Sequence, residues 1–125
     1  EYLDTTIIRM RNTCFHPGES SLDDMIASID RGYFLKSSGG GNGSLKGEFS
    51  MLAQEIYEIR NGKVSRKVYP TTVAGLAWDA LKTVTMVSRE FEMEKYCGTC
   101  GKDDQGIHTA SGGAAFKMRL NFAGR

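Results

Sequence analysis

Hydrophobic positions near the N-terminus recur at the three- and four-residue spacing of one helix face. The members of this stripe are Leu22, Met25, Ile26 and Ile29. Ser21 and Asp24 have the spacing of a capping box in front of the stripe. Arg31 and Gly32 follow it, as a last-turn cation and a glycine just beyond a helix end. The spacing therefore predicts a helix that begins after Ser21 and ends before Gly32.

A second helix is predicted after Pro70, with Thr71 or Thr72 as its N-cap. The residues that would share its apolar face are Val73, Ala77, Ala80, Leu81 and Val84. Gly75 in the first turns is unfavourable for this helix, because glycine has a low helix propensity.

Most of the remaining chain alternates between apolar and polar residues, which is typical of strands with one face in water. The clearest case runs from Phe49 to Ile59 and is followed by Asn61-Gly62, a strong type I′ hairpin signal, and by a strand from Lys63 to Tyr69. Further strands are predicted for Tyr2 to Met10, around Phe91 and Met93, and for Phe116 to Phe122. The Gly- and Ser-rich run 37–44 is expected to be a mobile loop. Together these elements predict a single domain over residues 1–125 of the α+β class: a mainly antiparallel β-sheet or partly closed barrel with two helices.

Composition narrows the function classes. Sixteen basic residues against fifteen acidic ones give a net charge of +1, so the chain lacks the basic footprint of a nucleic-acid binder. No apolar run approaches the ~18 residues that span a membrane, and the opening residues do not form a signal peptide. The odd number of cysteines, three, favours a reducing compartment. We therefore expect a cytoplasmic protein that binds neither membranes nor nucleic acid directly, and a piece of a longer polypeptide.

Candidate chemistry centres on Cys97-x-x-Cys100, which has three open interpretations. It can be half of a zinc site, a redox pair, or two thiols that simply pack in a Gly-rich turn. A zinc site would need further ligands, and the candidates are Cys14, His16 and His108, whose spacing matches no standard zinc finger. A redox pair usually opens a helix, whereas Gly101, Asp103 and Gly106 indicate a loop after Cys100.

Several motifs occur in the order found in one protein family. Arg9 to Thr13 resembles an RMxNT stretch, and Gly47-Glu48-Phe49 and Glu55 to Lys63 resemble a G-x-F and E-x-Y-x-I-x-NGK strand pair. Gly98 to Lys102, followed by Gln105, is similar to a TCGKxGQ signature. In this combination the chain resembles the C-terminal part of the TldD/PmbA family, in its TldD-like branch. Members of this family are described both as modulators of DNA gyrase and as zinc metalloproteases.

The resemblance implies a zinc-dependent peptidase whose metal is held by two histidines of an HExxxH helix and by one cysteine, which matches Cys100. Neither HExxxH nor a histidine pair four residues apart is present in these 125 residues. We therefore expect no catalytic residue in this chain, zinc in the full-length protein but none on this chain alone, and no peptidase activity from the isolated chain. Asp104 stands where the family usually has glycine and His108 where proline is common, which could alter the turn after Cys100.

The resemblance also implies a peptide or unfolded-protein substrate, and Arg9 and Asn12 are candidates for lining its groove. A structural arginine and a turn asparagine are the alternative for these two residues. A homodimer or a heterodimer with another family member is expected. Two other functions remain open: a non-catalytic partner subunit or assembly domain of the same family, and a small independent CxxC zinc or thiol module. Cys14 and Cys97 are extra to the family pattern and are expected to pack.

Overall fold

A computed structural model describes residues 5–9, 12–93 and 98–122 of the chain. The elements are, in chain order, α1 (Leu22–Ala27), β1 (Arg31–Gly43), β2 (Glu48–Arg60), β3 (Lys63–Val68), β4 (Thr71–Leu76), α2 (Ala77–Leu81), β5 (Met86–Met93), β6 (Thr99–Lys102), β7 (Gln105–His108), β8 (Gly112–Lys117) and β9 (Asn121–Phe122). The strands pair antiparallel in three separate sheets. The α+β class predicted from the sequence, mainly antiparallel sheet with two helices, is confirmed, and the described strands do not form a closed barrel.

The five-stranded sheet is organised around β2. One side of β2 pairs with β1 along almost its whole length, and the other side is divided between β4 near its start and β3 near its end. The short strand β9 continues the sheet beyond β4. The buried apolar side chains lie mainly on this sheet: Ala53, Ile56, Ile59 and Val73, with Met25 of α1 and Ala114 of β8.

The first predicted helix is confirmed at its start and is shorter at its end. Ser21 is the N-cap, and its Oγ accepts a hydrogen bond from the backbone N–H of Asp24 at 3.1 Å. The helix ends at Ala27, because Ser28 caps it and Arg31 already begins β1. The cation expected from Arg31 is supplied by Lys117 instead, whose Nζ donates to the Ser28 carbonyl at 3.2 Å.

The Asn61-Gly62 turn is confirmed as a hairpin between β2 and β3. Both residues have positive φ, 48° and 71°, as a type I′ turn requires. The backbone N–H of Gly62 donates to the Ile29 carbonyl at 2.9 Å, which fastens this turn to the segment after α1.

The prediction of a mobile loop at 37–44 was wrong, because residues 37–43 belong to β1. Their partners on β2 include Ala53 opposite Ser38 and Phe49 opposite Gly43. The pairing is irregular at three places, and Gly40 takes a φ of +106° at one of them. Glycine here therefore allows a bulged strand, which composition alone does not distinguish from a loop.

The predicted second helix was wrong over its first half. Thr71, Thr72 and Val73 are β-branched, and they pair with β2 as part of β4. Only Ala77–Leu81 forms a helix, and it begins where the Ala77 N–H donates to the Gly47 carbonyl at 2.7 Å. Pairing with β2 therefore stabilises a strand, and not a helix, in the first half of this segment.

Two strand predictions near the termini also need correction. The alternation from Phe116 to Phe122 is divided, because β8 pairs with β5 in one sheet and β9 pairs with β4 in another. Residues 5–9 of the predicted N-terminal strand form no strand, and the other residues of that prediction lie outside the described ranges. The strand around Phe91 and Met93 is confirmed as part of β5. In the described ranges no helix is long and apolar enough to cross a membrane.

Candidate functional site

The sulfur-bearing signature lies on a small hairpin formed by β6 and β7. Cys100 is the second residue of β6, opposite Ile107 of β7, and its side chain is half-buried and not in a disulfide. The two strands are joined by Asp103 and Asp104, with φ of 48° and 58°, so the connection is a two-residue turn with both residues left-handed. The loop that the sequence indicated after Cys100 is therefore a hairpin.

The segment 5–9 is fastened to this hairpin by side-chain hydrogen bonds across more than ninety residues of sequence. Nη1 of Arg9 donates to the Gln105 carbonyl at 2.9 Å, and Nη2 of Arg9 donates to the Cys100 carbonyl. Nε2 of Gln105 donates to the Thr5 carbonyl at 2.9 Å, and Nζ of Lys102 donates to the Ile8 carbonyl at 3.3 Å. We call these bonds the hairpin strap.

Asn12 contacts the backbone that follows the hairpin. Its Oδ1 accepts a hydrogen bond from the Ala110 N–H at 3.0 Å, just beyond the end of β7. Thr109 closes the open end of the hairpin, with its N–H donating to the Gly98 carbonyl at 3.2 Å. The observed contacts of Asn12 and Arg9 are thus to the chain's own backbone, and binding of substrate by either residue stays a prediction.

The other candidate metal ligands do not gather around Cys100. Cys14, His16 and His108 are exposed. Among the residues that the structure describes, no three His, Cys, Asp or Glu side chains are grouped so as to hold a metal ion. Cys97 lies outside those residues, so the interpretations that need both thiols stay predictions. Cys100 is chemically suited to zinc as a single thiolate donor, but the described residues alone do not make a complete zinc site.

A second polar group lies on the five-stranded sheet, at Glu58 of β2. Its carboxylate accepts from Nε of Arg60 at 2.8 Å and from Nε of Arg66 at 3.0 Å, and its side chain is only 11% exposed. The hydrogen bond from Arg60, and after it that from Arg66, keeps the pKa of Glu58 below its ordinary value despite burial.

Glu55 forms a related but more open group on the same strand. The Tyr57 hydroxyl donates to its carboxylate at 2.5 Å, and Lys36 of β1 lies 3.5 Å away. The Tyr57 hydrogen bond is the main reason that the pKa of Glu55 is lowered, and the same bond raises the pKa of Tyr57. Each group also links β2 to a neighbouring strand, through Arg66 of β3 for Glu58 and through Lys36 of β1 for Glu55.

The fold thus brings two of the predicted site residues together, Cys100 and Arg9, and places Asn12 beside the same hairpin. Lys102 and Gln105 stand in the motif that contains Cys100, but no function was predicted for either residue from the sequence. The residues around them in the sequence do not indicate that their side chains reach the segment 5–9. The one sequence signal for this contact was that the motif at Arg9 and the motif at Cys100 occur together in one family.

A family model and curated relatives match this chain over most of its length. The family model for the PmbA/TldA metallopeptidase C-terminal domain matches residues 1–114. The zinc metalloprotease TldD homolog of Saccharolobus solfataricus is 32% identical over 118 residues, which cover 94% of this chain and 26% of that protein. The metalloprotease TldD homolog of Buchnera aphidicola (Acyrthosiphon pisum) is 36% identical over 111 residues, covering 88% and 23%. The chain therefore spans about a quarter of the length of these curated relatives.

Two solved structures share the fold. TldE from Thermococcus kodakarensis aligns with a TM-score of 0.65 at 23% identity, over 87% of this chain and 23% of that one. A candidate modulator of a DNA gyrase from Thermotoga maritima aligns with a TM-score of 0.63 at 25% identity, over 86% and 22%. The family model, the relatives and the arrangement of the motifs agree: this chain belongs to the PmbA/TldA metallopeptidase C-terminal domain family.

Proposed function

We propose that this chain is the C-terminal domain of a TldD-like zinc peptidase that acts on peptides or unfolded proteins, and that Cys100 is one of the zinc ligands. The observation that carries the proposal is the position of Cys100, half-buried on a hairpin that side chains of the matched motifs fasten to the segment 5–9. A metal ligand needs such fastening, because its donor atom must stay in one place relative to the other donors.

The donor chemistry supports a divided site. Catalytic zinc is usually held by three protein ligands and keeps a fourth position open. Cys100 is the donor that the matched signature supplies, and the described residues bring no three metal-binding side chains together, so the remaining ligands would come from other parts of the longer protein. When bound, zinc would supply Lewis-acid chemistry at a carbonyl and a more acidic bound water.

The exposed edge of β1 supports a peptide substrate. In the part of the chain that the structure describes, β1 pairs with β2 on one side only. An extended peptide can add to such an edge through main-chain hydrogen bonds, which do not depend on its sequence. The glycines of β1 place few side chains in the way.

A family member is the proposed partner. The structural likeness to TldE, a protein of the same fold, supports a pairing of two related chains in which each presents a similar domain. A cytoplasmic location and the absence of direct nucleic-acid contact stay predictions.

The proposal is tested by C100S in the full-length protein that carries this domain. Loss of a direct ligand is expected to lower bound zinc well below one ion per chain, and to reduce chelator-sensitive peptidase activity by at least about 100-fold. Zinc would be measured by mass spectrometry after dialysis, and activity with an unfolded protein as substrate.

Cys14 provides the matched control, since it is a free and exposed thiol outside the hairpin. C14S is expected to keep wild-type zinc content and activity. Full zinc content and activity in C100S would contradict the ligand assignment.

A further inference from the structure

In the described part of the chain, polar contacts join the β6–β7 hairpin to the segment 5–9. The hairpin forms a two-stranded sheet of its own, and an isolated pair of strands is only marginally stable in water. A Cβ built on Gly98 or on Gly101, the glycines on either side of the Thr99-Cys100 pair, would meet no atom within 4 Å. Packing therefore leaves open space beside Cys100, and the hairpin strap must set where its backbone lies.

Arg9 is the member of the strap that holds both strands at once. Its two terminal nitrogens donate to the Cys100 carbonyl on β6 and to the Gln105 carbonyl on β7. A guanidinium presents these donors in a rigid planar fork, so one side chain can set the distance between two carbonyls. Nε of Arg9 is buried with no hydrogen-bond partner in the described ranges, so this part of the guanidinium lies out of contact with solvent.

The other members of the strap act elsewhere. Lys102 reaches the Ile8 carbonyl and Gln105 reaches the Thr5 carbonyl, and neither side chain bonds to Cys100. In the part of the chain that the structure describes, the side-chain hydrogen bond to the backbone of Cys100 comes from Arg9.

We infer that Arg9 is a positioning residue: it fixes the backbone of Cys100 so that the thiolate is presented to the metal in one orientation. The inference rests on the proposed function, since it assumes that Cys100 is a ligand. It assigns Arg9 a role different from the substrate contact that the sequence suggested. Partners that orient a ligand in this way typically contribute 10- to 100-fold to metal affinity.

The test uses zinc affinity in the full-length protein, measured by competition with a chromophoric chelator for wild type, R9M, R9K, K102M, C100S and the R9M/C100S double variant. R9M is expected to weaken zinc binding by about 10- to 100-fold. In the Co²⁺-loaded protein, R9M is also expected to weaken the thiolate-to-cobalt charge-transfer band, which reports on the sulfur bond directly. K102M removes a bond between the same two segments that does not reach Cys100, so it is expected to weaken zinc binding less than R9M does. A loss in K102M equal to that in R9M would overturn the specific role of Arg9.

The double variant separates positioning from general damage. If Arg9 acts through Cys100, R9M weakens zinc binding in the wild-type background and adds nothing once Cys100 is Ser. An equal further loss in the C100S background would overturn the inference. If R9M fails to fold, R9K decides: a lysine offers a point charge in place of the fork, so weaker zinc binding supports the inference and wild-type binding overturns it.

The two proposals fail in different ways. Wild-type zinc affinity in C100S would overturn the proposed function. Reduced affinity in C100S together with wild-type affinity and spectrum in R9M would overturn the role of Arg9 and leave the proposed function intact.

Discussion

Glu58 is a buried carboxylate of the five-stranded sheet, and two arginines of the same hairpin neutralise it. Arg60 follows it on β2, while Arg66 reaches it from β3 although its own side chain is 75% exposed. An unpaired charge at this position would be costly, because water cannot solvate it fully. The pair of arginines therefore keeps the ionised form of Glu58 in the folded chain.

The sign of the pH dependence follows from the pKa of Glu58, which lies below its ordinary value in the folded state. The unfolded chain binds a proton at the ordinary pKa, so Glu58 contributes its full stabilisation above that value and loses it as the pH falls through the folded pKa. E58Q is expected to be less stable than wild type at pH 7 and to lose less stability between pH 7 and pH 3. Urea unfolding midpoints across that range would measure both effects.

Glu90 offers a control, since it is an exposed glutamate on another sheet. E90Q is expected to follow the wild-type pH profile. If E58Q also follows the wild-type profile, Glu58 is not a source of the acid sensitivity.

The sequence could identify Cys100 but not its environment. The thiol stands in a recognisable motif, whereas Arg9 lies 91 residues away and no periodicity links the two. Likewise, the contact of the exposed Arg66 side chain with Glu58 depends on the register of β2 and β3. The first contact depends on how the segment 5–9 lies against the hairpin and the second on strand pairing, and neither can be read from a single sequence.

Among the elements, the turn between β6 and β7 departs most from what its sequence favours. Asp103 and Asp104 both have positive φ, and such turns usually place glycine at the second position. Aspartate tolerates this conformation better than most residues, but it does so less well than glycine. The turn therefore keeps its shape with a residue that strains it slightly.

D104G is expected to stabilise the hairpin by about 1 kcal/mol, because glycine adopts positive φ without a steric penalty. D104A removes the same charge but adds a Cβ that disfavours this conformation, so it should destabilise the hairpin. Amide hydrogen exchange in β6 and β7 would show the difference, since 1 kcal/mol corresponds to about a fivefold change in protection.

The opposite signs for D104G and D104A are the decisive feature of this comparison. If both variants shift protection in the same direction, charge and not backbone conformation controls the turn.

At the scale of elements, the sequence predicted structure correctly where contacts between neighbouring residues determine it. The Ser21 cap and the Asn61-Gly62 turn depend on neighbouring residues, and both were predicted correctly. The glycine-rich part of β1 and the β-branched start of β4 depend on pairing with β2, and both were assigned to other structures. The division of the C-terminal alternation between two sheets is likewise a matter of partners.

At the scale of the whole molecule, the described residues form three sheets with a modest core. Six apolar residues of the described chain are buried, while Trp78, Leu76 and Leu81 around α2 are largely exposed. The curated relatives are about four times as long as this chain. An activity that needs several ligands on one metal is therefore a property of the longer protein in our proposal.

The isolated 125-residue chain is accordingly expected to hold far less than one zinc ion per molecule after dialysis and to cleave no peptide. A single thiolate binds zinc weakly, because structural and catalytic sites use three or four protein ligands. Zinc content of the purified chain measures this directly. Stoichiometric zinc would favour an independent CxxC module, and loss of that zinc on C97S would assign it to the cysteine pair.

Because the β6–β7 hairpin forms a sheet of its own, the full-length protein could lose and rebind zinc without unfolding. Among the described residues these strands pair only with each other, so the hairpin can detach while the large sheet stays intact. If Cys100 is a zinc ligand, as we propose, loss of zinc and unfolding of the polypeptide would then be separate events. A zinc-free molecule would keep its fold and could bind zinc again without first unfolding.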